Sequence, residues 1–114
     1  MNTLGGEVLE AINKGIDIAE GEGWKGLVLG HEGENFSAGA NLAMILMMAI
    51  EEDWDELDYA IRAFQYTMTR TRFSSIPTVA AIKNLTLGGG CEMSMHVNSA
   101  VASAETYIGL VEFG

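Results

Sequence analysis

The run Leu87-Gly88-Gly89-Gly90-Cys91-Glu92 follows an apolar stretch, Thr78 to Ile82, and leads into a segment of helical character. Three glycines at such a junction let the backbone turn sharply and leave N–H groups bare at a helix start. Glu92 lies two residues past the last glycine, on the first turn of that helix, and a second carboxylate, Glu112, follows twenty residues later. Bare N–H donors beside paired carboxylates suit a carbonyl substrate on whose oxygen charge builds while protons move nearby. A plainer reading stands beside this one. The glycines could serve only to permit a tight turn or the approach of a ligand phosphate, Glu92 to complement a helix dipole, and Glu112 to sit on a surface loop.

Upstream lies a second turn of small residues, Phe36-Ser37-Ala38-Gly39-Ala40-Asn41. It too falls between a strand-like segment (Gly26 to Gly30) and a helix-like one (Leu42 to Ile50). Ala40 and Gly89 are the positions whose N–H groups face outward at the two helix starts. If both point at one spot they form an oxyanion hole, where a single donor is worth about 3–4 kcal/mol in a transition state.

The remaining elements alternate around these turns. Glu7 to Glu20 carries Val8, Ile12, Ile16 and Ala19 on one helical face, with Thr3 as the expected N-cap, Gly6 as its alternative, and Gly21 as the stop. His31 to Asn35 is polar and turn-like. Acids crowd Glu51 to Asp58, and a longer helix begins at Trp54 or Asp55, with Leu57, Ile61, Phe64 and Met68 at helical spacing. Arg70 and Arg72 occupy its last turn, as the helix dipole favours, and Ser74-Ser75-Ile76-Pro77 breaks the pattern. Thr78 to Ile82 is a second strand, Lys83 to Leu87 a lead-in to the glycines, and Gly90 to Val97 a helix with Met93 and Val97 on one side. Ser99 to Ala102 is a third strand, and the chain then runs as a loop with one brief extended piece. Strands alternating with helices predict an α/β architecture without an internal boundary.

Composition narrows the function classes. At 114 residues there is room for one small domain, and a 48% hydrophobic content marks it as globular. A formal charge of −10 disfavours nucleic acid and anionic membranes, which select basic surfaces. Any phosphate-bearing ligand would have to be held by local basic residues and backbone N–H groups. The only cysteine, Cys91, cannot form an internal disulfide and is expected to be buried and structural. The first ten residues lack the form of a signal peptide, and the longest apolar run, Leu42 to Ile50, is short of a membrane span, so a cytoplasmic setting is expected. His31 and His96 have no metal-binding spacing with Cys91 or the acids, and Ser37, Ser74 and Ser75 have no histidine–acid partners for hydrolase chemistry.

Taken together, FSAGANL, IPTVAAIKNLTLGGGCEMSM and YIGLVEFG, in that order and spacing, resemble the crotonase (enoyl-CoA hydratase/isomerase) superfamily. The similarity extends over nearly the whole chain and is strongest to the hydratase portions of bifunctional proteins that also carry a 3-hydroxyacyl-CoA dehydrogenase part. It implies a partial crotonase-like spiral fold, of the ClpP/crotonase kind, with short parallel strands alternating with helices. Residues 1–114 would then form a single incomplete domain, truncated at both ends. By position, the resemblance assigns the oxyanion hole to Ala40 and Gly89, with Glu92 holding and activating water and Glu112 exchanging a proton with the α-carbon. Having both glutamates favours hydration of a 2-enoyl-CoA over isomerisation. Ala38, Gly39 and Gly88 fall in the substrate-binding turns, and Met44, Met47 and Met48 are candidates to line a fatty-acyl tail, against the alternative that they are ordinary core. Asn41 stands where the family commonly has aspartate. The implied partner is an acyl-CoA, with coenzyme A entering only as part of the substrate, no separate cofactor and no metal, and the implied assembly is a homo-oligomer. The alternative function is a non-catalytic acyl-CoA-binding or oligomer-assembly module that uses uncovered sheet edges.

Overall fold

A computed structural model of the chain describes residues 3–39 and 42–110. In order it contains α1 (Gly6–Gly21), β1 (Leu27–Leu29), α2 (Leu42–Ile50), α3 (Trp54–Arg72), β2 (Thr78–Ile82), β3 (Leu85–Leu87), α4 (Gly89–His96), β4 (Ser99–Ala102) and β5 (Tyr107–Gly109).

Two parallel sheets organise the chain. The first has the order β1-β2-β4, with Val28 opposite Val79 and Ala81 opposite Val101. The second pairs β3 with β5, Thr86 lying opposite Ile108, and on the other side of β3 a parallel bridge joins Ser37 to Thr86. The chain therefore repeats one cycle: a strand in the first sheet, a short extended piece in the second, then helix. Each cycle adds its strands beside those of the cycle before, which winds the backbone into a spiral. Parallel neighbours demand such crossovers.

One face of the first sheet is buried. Thr78, Ala80 and Ile82 of β2 point inward, and Ala80 and Ile82 join Phe36, Met68, Met93 and Val97 in the core. Ile12, Leu29 and Phe64 pack around this cluster. Buried threonines serve the same interface. The hydroxyls of Thr67 and Thr71 donate to the carbonyls one helical turn back, at Ala63 and Thr67, and Asn98 accepts from the Thr78 N–H at 2.9 Å. The Thr78 hydroxyl in turn donates to the Thr71 carbonyl at 3.5 Å, which joins the end of α3 to the start of β2 and leaves none of these polar groups orphaned.

Two local expectations need correction. α1 is capped by Gly5, which has no side-chain bond to offer, and not by Thr3 or Gly6; Leu4 is drawn away into a backbone bond with Gly39. Gly21 ends α1 as expected, with Glu22 as the C-cap behind it. α4 starts at Gly89, one residue earlier than the spacing suggests, because Gly88 takes the left-handed conformation (φ 52°) that begins the turn. The expected start of α3 at Trp54 held, behind Asp53, whose carboxylate accepts from the Glu56 N–H, and the structure adds that Met93 and Val97 are both buried.

Candidate active site

The glycine turn emerges from β3 and opens α4. β3 is only three residues long, and its position depends on neighbours distant in sequence. Phe36 N–H donates to the Lys83 carbonyl (3.0 Å), Ser37 N–H to Leu85 (3.1 Å), and Leu87 N–H to Ser37 (2.9 Å). The upstream turn is thus sewn along β3 and ends where β3 becomes the glycine run.

Gly39 and the glycine run come into close contact there. Gly39 has φ 104°, and a Cβ built on it would lie 3.2 Å from the Leu87 carbonyl oxygen, 3.5 Å from the Gly89 nitrogen and 3.8 Å from the Gly88 Cα. Only glycine accepts both that dihedral angle and that proximity. The two turns, fifty residues apart in sequence, are brought to one place.

Their backbone groups divide into spent and free donors. Gly39 N–H donates to Ser37 Oγ (3.1 Å), while its carbonyl accepts from the Leu4 N–H (2.8 Å). Gly88 N–H donates to the Gly109 carbonyl (2.9 Å). Gly89 is the first residue of α4, so its N–H has no intrahelical acceptor, and among the described residues it donates to none. Of the glycines at this junction assigned to substrate binding or the oxyanion hole, Gly89 alone keeps an available donor. Gly39 and Gly88 act as spacers that allow the approach. Ala38 is half-buried. Ala40 and Asn41 lie outside the described residues, as does Glu112.

Glu92 sits half-buried on the first turn of α4 and takes part in none of the ion pairs among the described residues. Its own carbonyl accepts from or contacts His96 Nδ1 at 2.6 Å, so His96 is tied to its own helix. His31 is held in the same way by the Asn35 carbonyl (3.1 Å). Among the described residues no group of three or more His, Cys, Asp or Glu could hold a metal ion, and no helix is long and apolar enough to cross a membrane. On α2, Met44 and Met47 are exposed and Met48 is half-buried. The methionines form no part of the buried core cluster.

Two hollows in the described surface lie elsewhere. One, of about 350 Å³, is bounded by α1 and β1. The other, of about 760 Å³, opens between α1 and α3 beside Asn13, whose side-chain oxygen is buried without a partner. Neither is lined by Gly89 or Glu92. Sequence reasoning missed the part played by Ser37 and Leu4 in fixing the upstream turn. Ser37 was weighed only as a nucleophile, and nothing near it in sequence signals a partner fifty residues away.

Comparison with known proteins bears on the family and the fold. The chain is 44% identical over 113 residues to a probable 3-hydroxyacyl-CoA dehydrogenase of Bacillus subtilis, covering 99% of this chain and 14% of that protein. It is 33% identical over 114 residues to a putative fatty acid oxidation complex trifunctional enzyme of Rickettsia prowazekii, of which it spans 16%. Among solved structures it superposes on the enoyl-CoA hydratase of Bacillus anthracis with a TM-score of 0.85 at 27% identity, covering 97% of this chain and 42% of that one. An enoyl-CoA hydratase/isomerase from Xanthobacter autotrophicus gives 0.82 at 28%, with 97% and 41% covered. The α/β spiral is thus the crotonase fold that the sequence resemblance implied, represented here by part of the length of its relatives. The family model described as enoyl-CoA hydratase/isomerase matches residues 1–114, and with the fold in agreement, the chain belongs to the enoyl-CoA hydratase/isomerase family.

Proposed function

We propose that this chain carries the hydration chemistry of its family, adding water across the double bond of a 2-enoyl-CoA thioester. The observation that carries the reading is the contact between the two small-residue turns, which leaves the Gly89 N–H unspent at the start of α4 with Glu92 on the same turn. In the proposed reaction the thioester oxygen accepts from the N–H groups of Ala40 and Gly89. Glu92 holds a water and draws off its proton as the oxygen bonds to C3. The electron pair of the double bond moves toward the carbonyl, giving an enolate-like thioester at the two donors, and Glu112 delivers a proton to C2. The donors act because they bind the developing oxyanion more tightly than the ground-state carbonyl.

Coenzyme A enters this reading only as part of the substrate, and neither metal nor a separate cofactor is required. In this reading Ala38 flanks the bound thioester, and the exposed methionines Met44 and Met47, with Met48, suit an adaptable apolar surface for the acyl tail. Homo-oligomer formation and a cytoplasmic setting belong to the same proposal, the former supported by the apolar side chains exposed on α2 and on the outer sheet face. The test is hydration of crotonyl-CoA by the purified chain, followed through loss of the conjugated thioester absorbance. Glu92→Gln and Glu112→Gln should each lower kcat by roughly a hundredfold or more. Unchanged turnover in either variant would remove that carboxylate from the mechanism, and no turnover by the unaltered chain would sink the hydratase reading.

A further inference from the structure

The position of Ser37 carries a consequence for the same site. We propose that Ser37 is a positioning residue that locks the upstream turn against the glycine turn and so holds the Gly89 main-chain donor in place; this rests on the hydratase reading above. Ser37 is fully buried and all its polar groups but the hydroxyl proton have assigned partners. Its N–H donates to Leu85 and its carbonyl accepts from Leu87, which ties it to both ends of β3. Its Oγ accepts from the Gly39 N–H at 3.1 Å. Its β-carbon faces α4 so closely that a Cβ on Gly90 would stand only 2.8 Å away. One residue therefore touches the upstream turn through its hydroxyl, β3 through its backbone and the first turn of α4 through its side chain.

The Gly39 bond matters most for chemistry. Gly39 is held on one side by Ser37 Oγ and on the other by the Leu4 N–H on its carbonyl. These bonds seat Gly39 against the glycine run, where a Cβ built on it would stand 3.5 Å from the Gly89 nitrogen, so the Ser37 hydroxyl bears on the donor at the start of α4. Oxyanion donors work only when fixed before charge develops. A nucleophilic role for Ser37 finds no support, because its oxygen is already engaged and both histidines are bonded to carbonyls elsewhere.

The decisive experiment uses the full chain with Ser37→Ala and Ser37→Cys. Three quantities are read: kcat and KM for crotonyl-CoA, the red shift of bound cinnamoyl-CoA absorbance (which reports polarisation of its carbonyl), and hydrogen exchange at the Gly39 amide. Ser37→Ala should lower kcat about tenfold with KM within about twofold, shrink the red shift, and speed Gly39 exchange, in a chain that stays folded at the assay temperature although its unfolding midpoint falls by several degrees as the buried Gly39 N–H loses its acceptor. Ser37→Cys, a weaker acceptor, should fall between the two. Retention of the full red shift and kcat in Ser37→Ala would overturn the proposal, as would an activity loss that merely tracks the unfolded fraction. An unaltered chain that neither hydrates crotonyl-CoA nor shifts the probe overturns the hydratase reading first and this proposal with it, a pattern distinct from failure of Ser37 alone.

Discussion

Among single residues, the glycines differ sharply in what they contribute, and substitution should separate them. A Cβ on Gly90 would meet Ser37 Cβ at 2.8 Å and the Ser37 carbonyl oxygen at 3.1 Å, and the latter is backbone that cannot swing aside. Gly90→Ala should therefore destabilise the chain by about 1–3 kcal/mol and disturb the paired turns. Gly15, in the middle of α1, has nothing within 4 Å of the same construction. There the substitution only removes backbone freedom from the unfolded chain, and Gly15→Ala should stabilise by about 0.5–1 kcal/mol. Urea titration of the two variants checks both signs at once; equal effects would show that close packing at Gly90 is not what requires glycine. The glycine run and Glu92 were legible in sequence because special residue types mark turns and caps. Ser37 was not, since an ordinary small residue gives no sign of the atoms that the fold sets against it.

Among the elements, α1 and α3 run parallel and are joined near their C-terminal ends by a polar clamp. The Arg70 guanidinium bonds to both oxygens of Glu20 and to Asp17 at 2.9 Å, and Glu20 also accepts from the Ser74 hydroxyl (2.8 Å) and the Ser75 N–H (2.7 Å). Arg70 above all, then the Ser75 N–H and Ser74 hydroxyl, hold the Glu20 carboxyl well below its ordinary value of 4.5. A carboxyl whose pKa is lower folded than unfolded adds stability that is fully present above the unfolded value. That stability is lost as pH falls below about 4.5. Glu20→Gln should therefore lower the melting temperature at neutral pH and flatten its decline on the acid side, measured by circular dichroism from pH 7 downward. An acid limb as steep as that of the unaltered chain would assign the pH dependence to other groups. Helix α3 and strand β2 could be expected from local pattern alone, because their periodicity and breakers lie within them. β3 was read only as a lead-in: three residues carry no periodicity, and its ladder comes from Ser37 and β5, which lie far off in sequence.

The whole molecule is more open than its mass requires. Its accessible surface is 7396 Å², against about 6,100 Å² for a compact monomer of this size, an excess of about 1,300 Å². The radius of gyration, 14.3 Å, likewise exceeds the roughly 13 Å expected. The openness has a location. On the outer face of the first sheet Val28 and Val101 are 68% and 64% exposed, and every residue of β4 is exposed along the sheet's edge. Ser99–Ala102 carries no charge or proline, the usual devices that keep an edge strand from pairing. The excess area is large enough to supply one side of a stable interface, about 800 Å². Opposing this, each copy carries a charge of −10, so two copies repel at low ionic strength. Association should consequently rise with both concentration and salt, because screening shortens the reach of that repulsion to about 10 Å at 0.1 M while leaving apolar burial intact. Sedimentation velocity at low and moderate salt reads this directly. Val101→Lys, which adds charge at an already exposed position, should hold the chain closer to monomer under both conditions. A mass that stays monomeric at every salt concentration, or association that Val101→Lys leaves unchanged, would place the excess surface outside any self-contact through this sheet.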